Sequence, residues 1–232
     1  MGKRIIQQAR GKGSLTYRVR RKAYSHKLSL PTTNDKEFEI VELLHSAGHN
    51  APLMKIVGQS NKAFYLPAFE GAYVGQKIKV GGEEVGSIVS VGAVPVGSEV
   101  YNVELKPNDG GKVMRSGGCA AIVAKKLENG KIALQMPSKK EVVLSPECRA
   151  ILGRAAGDGR VEKPFVTAGR KFYKMKARNK LWPRTSAVKV NAVDHPFGSG
   201  RGKRIKPKIA KRNAPPGQKV GHLRPRRTGK RK

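Results

Sequence analysis

Residues 119–145 read CAAIVAKKLENGKIALQMPSKKEVVLS, and this stretch decides the fold. Three short runs, CAAIVAKK (119–126), KIALQM (131–136) and KEVVLS (140–145), are rich in Val, Ile, Leu and Ala and are separated by polar turn residues. Runs of this length and composition, punctuated by Asn, Gly and Pro, form β-strands. The ENGK tetrapeptide at 128–131 predicts a two-residue hairpin, because Asn-Gly accepts the positive φ angles of a type I′ turn. The stretch therefore reads as an antiparallel meander.

The same pattern extends towards the amino terminus. EFEIVEL (37–43) alternates apolar and polar residues. LMKIV (53–57), AFYL (63–66), QKIKV (76–80), GSIVSV (86–91) and EVYNVEL (99–105) follow, with Gly, Pro, Asn and Asp between them. No helical apolar period is sustained. About nine strands are more than one five-stranded barrel needs. The reading is mainly β, with two small barrels in series and a joint within 99–118.

Charge delimits this body. The 232 residues include 48 Lys or Arg and 16 Asp or Glu, a net charge of +32. Residues 37–150 are nearly neutral, with 13 basic and 12 acidic side chains. Residues 1–36 hold 10 basic and one acidic, and residues 151–232 hold 25 basic and three acidic. A charge of this size opposes compaction unless a polyanion compensates it. No stretch approaches the roughly 18 apolar residues of a membrane-spanning helix, so nucleic acid is the expected polyanion. The amino terminus is basic without an apolar segment, which argues against a secretory signal and for an intracellular chain. Cys119 and Cys148 lack metal-ligand spacing and read as ordinary buried small residues.

The basic ends carry the candidate binding residues. In ARGKGSLTYRVRRKAYSHK (9–27), Arg18, Arg20 and Arg21 lie among Tyr17 and Tyr24. With few apolar residues, this arm orders on RNA, its guanidinium groups on phosphates and its tyrosines on bases. AGRKFYKMKARNKLWPR (168–184) interleaves Arg170, Lys171, Lys174, Lys176, Arg178, Lys180 and Arg184 with Phe172, Tyr173 and Trp182. Trp182 has two readings, a stack on RNA or a docking residue of the protein. GDGR (157–160) is a tight turn able to approach a partner closely. Residues 201–232 contain no acid and four prolines, which predicts an extended segment that orders on binding.

VDHPFGSGRGKR (193–204) raises the question of chemistry. Nucleophilic catalysis needs a nucleophile, a base and an orienting group. Asp194 and His195 are sequence neighbours whose side chains point apart in an extended segment, and Pro196 favours that geometry. Three readings stand: a loop contacting RNA through His195, Gly198, Arg201, Lys203 and Arg204, a structurally satisfied histidine, and a catalytic one. The loop reading fits best, because glycines admit close backbone approach. A basic architectural DNA-binding protein is the rival class, but the chain offers neither a helix-turn-helix nor dimer heptads. No carboxylate cluster suggests a metal site of its own.

The run WPRTSAVKVNAVDHPFGSG (182–200), preceded by AGRKFYKMKARNKL and followed by APPGQKVG (214–221), resembles the universal family of the second large-subunit ribosomal protein, in its archaeal or eukaryotic-cytosolic form. RGKGS (10–14), APL (51–53), VPVG (94–97) and RSGG (115–118) extend the resemblance over nearly the whole chain. It implies a basic amino-terminal arm (1–36), an OB-type barrel (37–98), an SH3-like barrel (99–175) and a basic carboxyl-terminal extension (176–232). It further implies binding to large-subunit rRNA and contacts with neighbouring ribosomal proteins. Support of assembly, of joining to the small subunit and of the peptidyl transferase region is implied too. The family's histidine maps onto His195, and the reaction belongs to RNA, so the chain is expected not to be an enzyme. No cofactor is implied beyond Mg2+ carried by rRNA, and neither a membrane nor a homo-oligomer. The expected location is the cytoplasmic ribosome.

Overall fold

The computed structural model describes residues 2–199, 209–210 and 212–223. They form two compact units, one of residues 21–166 and one of the two chain ends, 1–20 and 167–232.

The 21–166 unit is mainly β, as the meander predicts. Its first sheet contains β1 (Glu37–Leu44), β2 (Leu53–Gly58), β3 (Ala63–Pro67) and β4 (Lys77–Lys79) in the order β3-β2-β1-β4, all antiparallel. Alternation in β1 buries Phe38 and Ile40 and exposes Glu37 and Glu39. The β1–β2 register shifts between Ile40 and Glu42, the mark of a bulge.

The second sheet contains β5 (Ile88–Ser90), β6 (Glu99–Tyr101), β7 (Ala121–Lys126), β8 (Ile132–Gln135), β9 (Glu141–Leu144) and β10 (Arg149–Leu152). Its order is β5-β10-β6-β7-β8-β9, also antiparallel. Strand β5 lies before the expected joint yet pairs in this second sheet. The one strand of these two sheets not anticipated is β10, whose apolar run is short and adjoins the change in charge at residue 150.

The β7–β8 turn differs from expectation. Gly130 takes φ 75°, but Asn129 does not take positive φ. Gly130 N–H donates to the Leu127 carbonyl and Leu127 N–H to the Lys131 carbonyl, so residues 128–130 form a three-residue loop rather than a type I′ turn.

Two apolar clusters hold the unit. One joins Phe38, Ile40, Met54, Ile56 and Leu66 of the first sheet to Ile88, Tyr101 and Ile151 of the second. The other fills the second sheet with Val89, Val100, Val123, Leu134 and Ala150. Tyr101 is fully buried, its hydroxyl donates to the Pro67 carbonyl at 3.0 Å, and burial pushes its pKa well up. Cys148 is buried as expected, whereas Cys119 is only half-buried.

Residues 21–36 pack onto this body rather than standing off it. Ala23, Leu28 and Leu30 are buried, and Ser29 and Leu30 N–H groups donate to the carbonyls of Tyr65 and Gly110. The glycines of RSGG and GDGR find partners in each other. A Cβ on Gly117 would lie 2.8 Å from the Gly157 carbonyl oxygen, and one on Gly118 would lie 2.8 Å from Asp158 Cα. The GDGR turn is real, with Gly157 at φ 90° and Gly159 at φ 69°, but the close approach it permits is to the chain itself.

Candidate nucleic-acid interface

The unit of the chain ends has local structure of its own. Helix α1 (Ile6–Gly11) is a short turn, and Gln8 Oε1 accepts the Ile5 N–H at 3.2 Å. Helix α2 (Ala168–Ala177) was not legible in the cation-aromatic alternation. It ends in a Schellman motif: Asn179 takes φ 48°, its N–H donates to the Lys176 carbonyl, and Lys180 N–H donates to the Met175 carbonyl. Downstream, β11 (Ile209–Ala210) pairs in parallel with β12 (His222–Leu223). Ala210 and Val220 are buried. Within the 201–232 segment, expected to be extended until bound, these residues are therefore packed. Residues 201–208, 211 and 224–232, among them Arg201, Lys203 and Arg204, lie outside the described residues.

The helix sorts its side chains by period. Lys171, Lys174, Met175 and Arg178 are half-buried at i, i+3, i+4 and i+7, while Arg170, Phe172, Tyr173 and Lys176 are exposed. Phe172 and Tyr173 meet edge to face at 5.6 Å, and Lys176 Nζ lies 5.9 Å from the Phe172 ring centre. The exposed side therefore offers aromatic rings already associated with cations. Trp182 is half-buried, with Lys171 Nζ 5.6 Å from its ring centre, so it packs against protein. Arg18, Arg20, Lys180 and Arg184 are exposed in the same unit, whereas Arg21 belongs to the β body.

The His195 loop is closed by its own backbone. Asp194 and His195 N–H groups donate to the Asn191 carbonyl, and Gly198 N–H donates to the His195 carbonyl. Pro196 thus sits in a turn rather than in an extended run. Phe197 N–H donates to His195 Nδ1 at 3.0 Å, so this nitrogen is held by the backbone and not by Asp194. Gly198 is buried, and a Cβ there would collide with the Asn191 carbonyl and lie 2.6 Å from the Val190 oxygen. The glycine therefore has a reason within the loop: the backbone passes too close for a side chain.

His195 lines two clefts. One, of about 870 Å3, lies between residues 2–8 and residues 192–218. The other, of about 770 Å3, lies between Arg4 and Arg10 on one side and residues 181–195 on the other. The sequence reading missed Arg4 and Arg10 as partners of the His195 loop. Lys3 N–H donates to the Val193 carbonyl at 2.8 Å, tying the two chain ends together. No local pattern announces this pairing of residues about 190 positions apart. Among the described residues, no three His, Cys, Asp or Glu side chains are grouped to hold a metal ion.

The charge is concentrated in this unit. Residues 1–20 and 167–232 contain 28 Lys or Arg and a single acid, Asp194, a net charge of +27 against +5 for residues 21–166. The class so defined is a basic, mainly β protein whose charge is gathered at its chain ends.

Residues 84–217 match the family described as Ribosomal Proteins L2, C-terminal domain. The chain is 44% identical, over 238 residues, to the large ribosomal subunit protein uL2 of Hyperthermus butylicus. It is 40% identical, over 241 residues, to the protein of the same name from Archaeoglobus fulgidus. Each comparison covers the whole of both chains. The chain belongs to the uL2 family of ribosomal proteins.

Proposed function

We propose that this chain is a structural constituent of the large ribosomal subunit that binds large-subunit rRNA directly and performs no catalysis itself. The observation that carries the reading is the segregation of charge, 28 basic side chains against one acid in the unit of the chain ends, in a chain of this family. The β body forms on its apolar clusters without needing charge compensation. The chain ends complete their order when phosphates neutralise them.

Phosphate contacts supply most of the affinity. If about ten phosphates are neutralised, binding falls roughly a thousandfold or more between low and physiological salt. The residues we assign to rRNA are Arg18, Arg20, Arg21, Arg170, Lys171, Lys174, Lys176, Arg178, Lys180, Arg184, His195, Arg201, Lys203 and Arg204. Arg170 and Lys176 are supported best, being exposed beside Phe172 and Tyr173. Trp182 and Gly198 serve by shaping the interface, in view of their packing within the protein. The arm (1–36), the two barrels (37–98 and 99–175) and the extension (176–232) are the functional divisions we propose. Partners are neighbouring ribosomal proteins and, across the subunit interface, the small subunit. The His195 loop serves the peptidyl transferase region.

Sedimentation of ribosomal particles from cells expressing a tagged copy tests this. The tag should travel with the large subunit and leave it only at high salt. A tag that stays at the top of the gradient would contradict the proposal.

A further inference from the structure

The cleft of about 770 Å3 has a distinctive set of charges. Arg4 and Arg10 come from one chain end and Arg184 from the other, and Leu181, Pro183 and Val190 add apolar wall between them. The sole acid of the unit, Asp194, lines this cleft too. Its backbone N–H is fixed to the Asn191 carbonyl. Within a surface of net charge +27, an exposed carboxylate weakens phosphate binding wherever it sits. Its presence in the cleft needs a ligand that carries donors as well as phosphate.

We infer that this cleft receives one unstacked guanosine of the rRNA, its phosphate on the arginines and its Watson–Crick edge on Asp194. The inference rests on the rRNA-binding reading above. Arginine binds phosphate through a planar fork of donors. A carboxylate accepts two parallel hydrogen bonds, and guanine N1–H and N2–H form such a pair on one edge. Adenine and cytosine each present only one exocyclic amino group, and uracil one ring N–H. Recognition of RNA by splayed bases read on their Watson–Crick edges is a common mode. The cavity volume lies within the usual range for sites that enclose a small ligand. The apolar wall accounts for the base and the three arginines for the phosphate, so each part of the lining has a counterpart in the nucleotide.

The test uses the full chain bound to large-subunit rRNA and a glyoxal-type reagent such as kethoxal, which modifies N1 and N2 of unpaired guanines. The wild-type complex should protect at least one guanine that is reactive in free rRNA. With Asp194→Asn, that guanine should become about tenfold more reactive, as expected when one bidentate hydrogen-bonded pair to a base is removed. Total rRNA affinity should stay within about threefold, since the phosphate contacts remain. Arg4→Gln should instead weaken affinity and expose the same guanine only in proportion to the fall in occupancy. The inference is overturned if no guanine's protection depends on Asp194 while rRNA binding persists, an outcome that leaves the proposed function standing. It is also overturned if Asp194→Asn abolishes binding altogether, or if free guanosine monophosphate binds the chain while no rRNA guanine is protected. Failure of the wild-type chain to prefer rRNA over duplex DNA would instead overturn the proposed function itself.

Discussion

Phe197 N–H donates to Nδ1 of His195 across 3.0 Å, and the two rings lie 5.1 Å apart. A neutral imidazole has one donor and one acceptor nitrogen. With Nδ1 accepting, the proton sits on Nε2, and the ring is presented as a donor suited to a phosphate, a base or a ribose oxygen. The Asp194 side chain takes no part in fixing this tautomer. A histidine whose Nδ1 is held by its own backbone lacks the Asp194 hydrogen bond that a catalytic dyad would need, and this geometry fits the contact role we propose for it.

The first prediction concerns this ring. Long-range 1H–15N correlation spectra should show the Nε2-protonated tautomer of neutral His195. His195→Ala should leave rRNA binding nearly intact and still enter particles, while particle activity falls. A mutant absent from particles would contradict the assignment.

Removal of residues 201–232 takes away a cation-rich, acid-free segment together with the β11–β12 pair. Binding to rRNA should weaken broadly, and the slope of log affinity against log salt should flatten by about 0.9 for each phosphate that is no longer neutralised. Titrations at four or more salt concentrations decide it. An unchanged slope would mean that this segment does not bind phosphate.

The β body depends on a buried ion pair. Glu104 is fully buried, and its carboxylate accepts from Arg149 Nη2 at 2.9 Å and from the Asn108 and Gly110 N–H groups. Arg149 Nη1 in turn donates to the Pro31 carbonyl at 2.6 Å, which ties the 21–36 segment to the second sheet. Glu104→Ala leaves the guanidinium and three backbone amides, those of Asn108, Gly110 and Arg149, without their carboxylate acceptor and should cost about 3–5 kcal/mol. Denaturant unfolding of the full chain, followed by far-ultraviolet circular dichroism, measures it. A loss under about 1 kcal/mol would mean that the network contributes little net stability.

Asp35 gives a pH prediction. The Ser60 hydroxyl, against the opposing effect of burial and with smaller help from the Ser60 N–H and the Thr33 hydroxyl, holds its carboxyl below the usual carboxylate range. A depressed folded pKa stabilises the native state above the unfolded pKa of about 3.9, and that contribution fades as pH falls through the folded value. Ser60→Ala should move the Asp35 titration upward towards the ordinary value, and the stability gap between mutant and wild type should close on the acid side. Carboxyl 13C shifts against pH report the titration directly.

The sequence made the β body legible because alternation and turn chemistry are local. Nine of the ten strands in the two sheets fall on apolar runs bounded by turn residues, and only Arg149–Leu152 escaped. The ENGK turn type was misread because Asn-Gly also suits a three-residue loop in which Gly130 alone takes positive φ. Helix α2 was hidden for a different reason: none of its residues is buried, so no apolar stripe marks its period. The interface was legible in composition but not in geometry. Cations announced themselves, whereas the pairing of Arg4 and Arg10 with the His195 loop depends on tertiary closure between the chain ends. The glycines of GDGR and HPFGSG illustrate the same limit. Their freedom was visible, yet Gly157 uses it for a positive φ within its own turn and Gly198 for close approach to its own loop.

The central claim is that the charged chain ends form a specific rRNA interface rather than a polycation. The most direct measurement is binding of the purified chain to a large-subunit rRNA fragment and to duplex DNA of equal length across a salt series. The account predicts that both affinities fall with salt while rRNA keeps a widening advantage, because base and shape contacts survive screening that removes phosphate contacts. Two ligands that weaken in parallel to the same affinity would contradict it.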